Sequence, residues 1–211
     1  MLDEDGRISI LGIVGSPRRN GNTHFLVSRA LEAAAGLNAS TRLIWLGDHT
    51  IEGCRGCESC AGSHRCVIHD DMQHLYPLLL HADGLILGSP VHFYNVSAPM
   101  KAFVDRCYCL EAFDKDDRSC WVGIREALGG GYATVITVAE QAQQEYSGFA
   151  AQAMSLPLQD LGYRVIETLQ VRGLWGRQDA AKEPDAAASA ARAGERLAKT
   201  ILLRASLNAG T

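Results

Sequence analysis

Five short apolar runs recur along the chain, and stretches with a helical stripe of apolar positions lie between them. Residues 7–14 (Arg-Ile-Ser-Ile-Leu-Gly-Ile-Val) form a run of strand length with almost no polar interruption, the signature of a strand buried on both faces of a parallel sheet. Residues 43–46, 84–88, 132–138 and 163–171 predict four more strands. After Thr23, Val27, Leu31 and Ala34 fall on one helical stripe that closes at Gly36, where a C′ glycine belongs. Asp70-Asp71-Met72-Gln73 opens a second helix, with Asp70 placed to cap it, Gln73 to reach back, and Pro77 predicting a kink or a late start. Residues 98–107 predict a third helix with Pro99 in its first turn, and residues 146–161 a fourth that Pro157 ends or kinks. An alanine-rich helix starts at Pro184-Asp185, with Leu197 and Ile201 facing inward. Residues 108–131 are polar, end in three glycines, and read as an excursion between helix and strand, a candidate subunit contact.

Strands alternating with helices imply a parallel sheet covered on both faces, and right-handed crossovers leave few topologies for five strands. The expected class is α/β, a flavodoxin-like three-layer sandwich of strand order 2-1-3-4-5, with residues 1–211 as a single domain. In that order ligands bind beyond the carboxyl ends of the strands, at the switch point between strands one and three.

Composition narrows the function. The 211 residues are 47% hydrophobic, enough for one full α/β core, and carry a net charge of −4 with Lys and Arg scattered, which offers no footprint for nucleic acid. The first residues are acidic where a secretory leader would be basic and then apolar, and Pro77, His81 and Asp83 interrupt the longest apolar stretch, so no membrane span is expected. Seven cysteines, an odd number, argue against a secreted disulfide scaffold. The expectation is a protein of the reducing cytoplasm.

Three loops carry candidate chemistry. Cys54, Cys57, Cys60 and Cys66 lie within thirteen residues at the spacing Cys-x2-Cys-x2-Cys-x5-Cys, in a loop spanning 53–70. Overlapping Cys-x2-Cys steps closed by a fourth thiol can cover the four irons of a [4Fe–4S] cube. Zinc, which prefers two separated knuckles, disulfides and idle thiols are the alternatives. The loop after strand one offers Ser16, Asn20, Asn22 and Thr23, Arg18 as a cation, Gly21, and the unpaired N–H groups of a helix start, a set suited to a phosphate monoester. It matches neither a nucleotide-triphosphate loop nor a dinucleotide fingerprint. The loop after strand three, Pro90, Val91, His92, Phe93, Tyr94 and Asn95, can wall a planar ring. Phosphate at one loop and ring at the next describes FMN, and all three loops leave the sheet at the same edge. Cys107, Cys109 and Cys120 read as buried small side chains, and Trp45 and Trp121 as packing.

The stretches 15–23 (Gly-Ser-Pro-Arg-Arg-Asn-Gly-Asn-Thr), 54–72, 88–95 and 99–106 together resemble the iron–sulfur flavoprotein branch of the flavodoxin-like NAD(P)H-dependent FMN reductase family. The resemblance implies that Ser16, Arg18, Asn20, Asn22 and Thr23 cradle the FMN phosphate, that residues 90–95 line the ring, and that Cys54, Cys57, Cys60 and Cys66 ligate a [4Fe–4S] cluster. It also implies a homodimer or homotetramer that passes electrons from a ferredoxin-like or NAD(P)H donor to a small acceptor. A cluster-free NAD(P)H-dependent FMN or quinone reductase is the alternative. No catalytic acid–base pair is found, and none is needed where the redox chemistry belongs to cofactors.

Overall fold

The computed structural model describes residues 6–209. Its elements follow in chain order as β1 (Ser9–Val14), α1 (Asn22–Ala35), β2 (Ser40–Trp45), α2 (Met72–His81), β3 (Gly84–His92), β4 (Asn95–Val96) and α3 (Ala98–Arg106). Next come β5 (Glu111–Phe113), β6 (Trp121–Gly123), α4 (Ile124–Ala127), β7 (Gly131–Val138), α5 (Gln152–Asp160), β8 (Tyr163–Val171) and α6 (Pro184–Ala209). The main sheet runs β2-β1-β3-β7-β8, all parallel, which is the expected 2-1-3-4-5 order. It has one strand more than expected, because β4 pairs antiparallel with the end of β3.

The period of two along β1 divides the core. Ile10 and Val14 join Leu26, Val27 and Leu31 of α1 and Leu197 and Ile201 of α6 on one face. Leu11 and Ile13 face the other way, with Leu75 and Leu79 of α2, Met100 and Phe103 of α3, and Met154 and Leu158 of α5. On the first face α1 and α6 cross so closely that a Cβ on Gly194 would lie 1.9 Å from the Ala30 carbonyl oxygen.

Several boundaries differ from the pattern, each for a physical reason. Strand two begins at Ser40, not residue 43, because an edge strand keeps polar residues on its exposed side. Helix α1 stops at Ala35 but Gly36 stays right-handed, and Asn38, with φ 62°, makes the left-handed turn instead. Strand three runs on to His92, so residues 89–92 belong to the sheet and only Phe93 and Tyr94 form the turn into β4. The helix expected over 146–161 starts at Gln152, because Gly148, at φ 52°, breaks it where the backbone packs against Tyr94. The excursion contains the β5–β6 hairpin and the short α4.

Candidate functional site

The carboxyl ends of β1, β3, β7 and β8 open onto a cleft of about 110 Å³, lined by Ser16, Arg18, Gly21, Asn22 and Thr23, by Pro90, Val91 and His92, and by Val138, Glu140, Leu174, Trp175 and Arg177. Its floor is held by a chain of hydrogen bonds around two buried serines. Gly15 N–H donates to the Gly88 carbonyl at 2.8 Å, Ser97 Oγ donates to the Gly15 carbonyl at 2.6 Å, and Ser97 N–H donates to Ser89 Oγ at 3.0 Å. Ser97 also caps α3 by accepting from Met100 N–H, so the start of α3 and the end of β1 are one unit.

The loop between β1 and α1 is shaped for an anion. Gly21 occupies the N-cap of α1 without a side-chain cap, which leaves the first-turn N–H groups of a 14-residue helix without intrahelical partners. Ser16 and Thr23 are buried in the cleft wall, and Ser16 Oγ accepts the Arg18 N–H at 3.2 Å. Among the described residues the Arg18 guanidinium has no ion-pair partner, whereas Arg19 is paired with Asp48 and lies 4.2 Å over the Trp45 ring. Trp45 Nε1 donates to the Ser16 carbonyl at 2.6 Å, so this tryptophan braces the loop. Asn20 is exposed in the left-handed region, φ 56°, and does not line the cleft.

Asn22 lines the cleft, but its amide faces another loop. Its Nδ2 donates to the Gly176 carbonyl at 2.8 Å, and its Oδ1 accepts the Ala180 N–H at 3.0 Å. Arg177 completes the attachment by donating to the Arg19 carbonyl at 2.5 Å. The segment after β8 therefore folds over α1 and brings Leu174, Trp175 and Arg177 into the cleft, which sequence reasoning missed. The signal was its position after the last strand, at the same edge as the other loops.

The ring wall expected from residues 90–95 is gathered in part. Pro90, Val91 and His92 face the cleft, opposite Val138 and Leu174. Phe93 and Tyr94 turn away from it. Phe93 is 97% exposed, and Tyr94 stacks on Tyr146 with centroids 6.1 Å apart. Both adopt the left-handed region, φ 47° and 69°, which bulky residues rarely do. Asn95 is exposed in β4 and bonds its own strand through Oδ1 to Val96 N–H.

The cysteine loop lies beyond β2, at the same edge. Cys54 and Cys57 are exposed and Cys60 and Cys66 half-buried, all four as free thiols. Burial pushes the Cys60 thiol up, and the neighbouring thiols of Cys66, Cys54 and Cys57 act in the same direction. Ser59 lowers Cys57 through hydrogen bonds. Among the described residues no three Cys, His, Asp or Glu side chains are close enough together to hold a metal ion. The donor set fits an iron–sulfur cluster in number and type, and the loop would have to draw its sulfurs inward to close around one. Beneath the loop, Cys109 is buried and pushed up to about 11, mainly by desolvation, and burial raises Cys107 further. Cys120, expected to be buried, is exposed near Asp117, because the β5–β6 hairpin places it on a turn. Arg118, on that hairpin, pairs with Glu58 of the cysteine loop at 2.6 Å.

The base of the loop holds a buried ion pair. Arg106, with its side chain 0% exposed, forks onto Asp70, 5% exposed, at 2.6 and 3.1 Å. Sequence reasoning gives Asp70 a capping role, and its Oδ1 does accept the Met72 N–H at 3.0 Å; Arg106 has no role legible there.

Among the described residues, no helix is long and apolar enough to cross a membrane. The family described as NADPH-dependent FMN reductase matches residues 8–157. An iron–sulfur flavoprotein of Methanocaldococcus jannaschii is 43% identical over 99 residues, 47% of this chain and 51% of that protein. An iron–sulfur flavoprotein of Archaeoglobus fulgidus is 38% identical over 121 residues, 57% of this chain and 62% of that protein. The matched region thus spans little more than half of each relative. Among solved structures, the NAD(P)H:quinone oxidoreductase from Methanothermobacter marburgensis superposes with a TM-score of 0.68 at 14% identity, covering 90% of this chain and 99% of that one, a likeness of fold alone.

Proposed function

Because this chain belongs to the NADPH-dependent FMN reductase family, we propose that the cleft holds FMN and that the protein is an FMN-dependent oxidoreductase bearing a [4Fe–4S] cluster on Cys54, Cys57, Cys60 and Cys66. The observation that carries the reading is the convergence, at one sheet edge, of a helix N-terminus with an arginine beside it, an apolar wall and a four-thiol loop. The phosphate would lie on the α1 N-terminus beside Ser16, Thr23 and Arg18, where N–H groups, hydroxyls and a guanidinium all donate. Pro90, Val91, Val138 and Leu174 would face the ring and keep water from it. Trp175, exposed at the cleft mouth, is placed to cover the ring from outside. Bound FMN supplies a centre that exchanges electrons in pairs or singly, and a cluster one that exchanges them singly. The protein's part is to bind and orient both, in a homo-oligomer that takes electrons from NAD(P)H or a ferredoxin-like donor and delivers them to a small acceptor.

The separation of the four sulfurs favours a second reading, a cluster-free flavin reductase with reduced, idle cysteines. An anaerobic count of flavin, iron and acid-labile sulfide, with visible spectra before and after dithionite, separates the two. About four iron and four sulfide per FMN, with broad absorption that bleaches on reduction, supports the cluster. Flavin without iron after anaerobic reconstitution selects the second reading, and failure to bind flavin sinks both. Cys57→Ala is expected to abolish iron binding and to leave FMN binding unchanged.

A further inference from the structure

Most hydrogen bonds of the cysteine run are local, around Ser63, and the Arg118–Glu58 ion pair ties it to the β5–β6 hairpin. Within it, backbone hydrogen bonds join only Ala61 to Glu58 and Ser63 and His64 to Cys60, among the described residues. Its base is tied to the rest of the fold at more points. Thr50 N–H donates to Asp71 Oδ2 at 2.7 Å, and Asp71 N–H donates to the Thr50 carbonyl at 3.2 Å. Glu52 N–H donates to Asp70 Oδ2 at 2.9 Å. Gln73 Nε2 donates to the Cys66 and Ile68 carbonyls at 2.9 and 2.7 Å. At the centre, Arg106 Nη1 donates to the Glu52 carbonyl at 3.0 Å and Nη2 to the Ile68 carbonyl at 3.4 Å, while both grip Asp70. One guanidinium therefore spans the two strands of chain that enter and leave the cysteine run, two residues before Cys54 and two after Cys66.

We infer that Arg106, oriented by Asp70, is the positioning residue of the cysteine loop and sets the separation of its stems. A buried ion pair is weak evidence of stability, since an apolar pair of the same volume often does as well. Its use here lies in geometry, because a planar fork can satisfy a carboxylate and two carbonyls at once and an ammonium cannot. The same helix reaches the cleft. Arg106 ends α3, and Ser97, which caps its start, donates to the Gly15 carbonyl beneath the anion loop. Nine residues of α3 extend about 14 Å, so this rod ties the cysteine loop to the cleft at a fixed distance. Tyr76 locks the far end by donating from its hydroxyl to the Arg106 carbonyl at 3.0 Å. The inference deepens the cluster reading and rests on it only for the identity of what the loop holds.

The test compares Arg106→Lys, and a paired Arg106→Met with Asp70→Leu variant that keeps the core volume, with the unaltered protein. Amide hydrogen exchange is followed on metal-free protein with FMN bound, and iron retention under a chelator after anaerobic reconstitution. In both variants exchange at the hydrogen-bonded amides of Thr50, Glu52, Ala61, Ser63 and His64 is expected to rise roughly tenfold or more, with α1 and β3 amides and FMN affinity unchanged. Iron retention is expected to fall roughly tenfold. Unchanged exchange in the loop in either folded variant overturns the inference, as does an equal rise throughout the chain. If the unaltered protein takes up no iron, the cluster reading fails and the exchange data alone decide whether Arg106 positions the loop.

Discussion

Replacing Asn22 with alanine separates two roles that the sequence alone does not distinguish, phosphate ligand and loop clamp. In the structure the side-chain amide is committed to the segment after β8, at 2.8 Å to the Gly176 carbonyl and 3.0 Å from the Ala180 nitrogen. Alanine is well tolerated at the first position of α1, so the helix itself should persist. Two neutral hydrogen bonds at about 1 kcal/mol each give about 2 kcal/mol, or roughly a 30-fold shift toward an open segment at 1.4 kcal/mol per decade. The Arg177 contact with the Arg19 carbonyl remains, so roughly 30-fold is an upper bound on the opening.

Opening withdraws Leu174, Trp175 and Arg177 from the cleft, a wall that faces the ring as well as the phosphate. FMN and riboflavin should therefore weaken by similar factors in a fluorescence-quenching titration, and exchange should rise across residues 172–182. A phosphate ligand would behave differently, since its loss weakens FMN and leaves riboflavin unaffected. That second pattern, with exchange in the segment unchanged, would refute the clamp.

Three further outcomes are expected. Gly194→Leu forces a side chain into the Ala30 carbonyl, where even a Cβ would lie at 1.9 Å, and should cost about 3 kcal/mol or more in chemical denaturation, whereas Gly53→Ala, with nothing within 4 Å, should stay within about 0.5 kcal/mol. Phe93→Asn relieves a left-handed aromatic residue that is 97% exposed, and should raise stability by about 0.5–1 kcal/mol with FMN affinity unchanged; a drop in affinity would return Phe93 to the ring wall. Burial acts to raise the Asp70 carboxyl, but hydrogen bonds from Arg106 and from the Glu52 and Met72 N–H groups outweigh it and hold the group below the ordinary carboxylate range. The stability linked to Asp70 is then complete above about pH 4 and lost as pH falls through the lowered value, so the gap between the protein and Asp70→Asn should be constant from neutral pH to about 4 and narrow only below it; a gap that narrows between pH 7 and 5 contradicts this assignment.

The sheet was legible because its strands are buried on both faces, and continuous apolar runs admit few other readings. Its edges were less so. Ser40, Thr41 and Arg42 pair with β1 through backbone groups that carry no side-chain signature, and Gly148 ends a helical pattern through a contact with Tyr94, 54 positions earlier in the chain. The site divides in the same way. Residue types with intrinsic chemistry stood out, the four close thiols and the hydroxyls and arginine after β1, and the fold brings their loops to one edge. The residues that place them were given other roles, as Asn22 and Trp45 were, or none, as Arg106 and Arg177, because all four act through backbone groups remote in sequence, by 29 positions for Trp45 and 158 for Arg177. Arg106 is the sharpest case. By sequence it is one polar residue at the end of an amphipathic helix, and only the tertiary fold shows its guanidinium between Glu52 and Ile68. Spacing can nominate cysteines as ligands, but the distance between the stems that carry them is set by a residue forty positions beyond the last of them, on a helix that begins at the cleft.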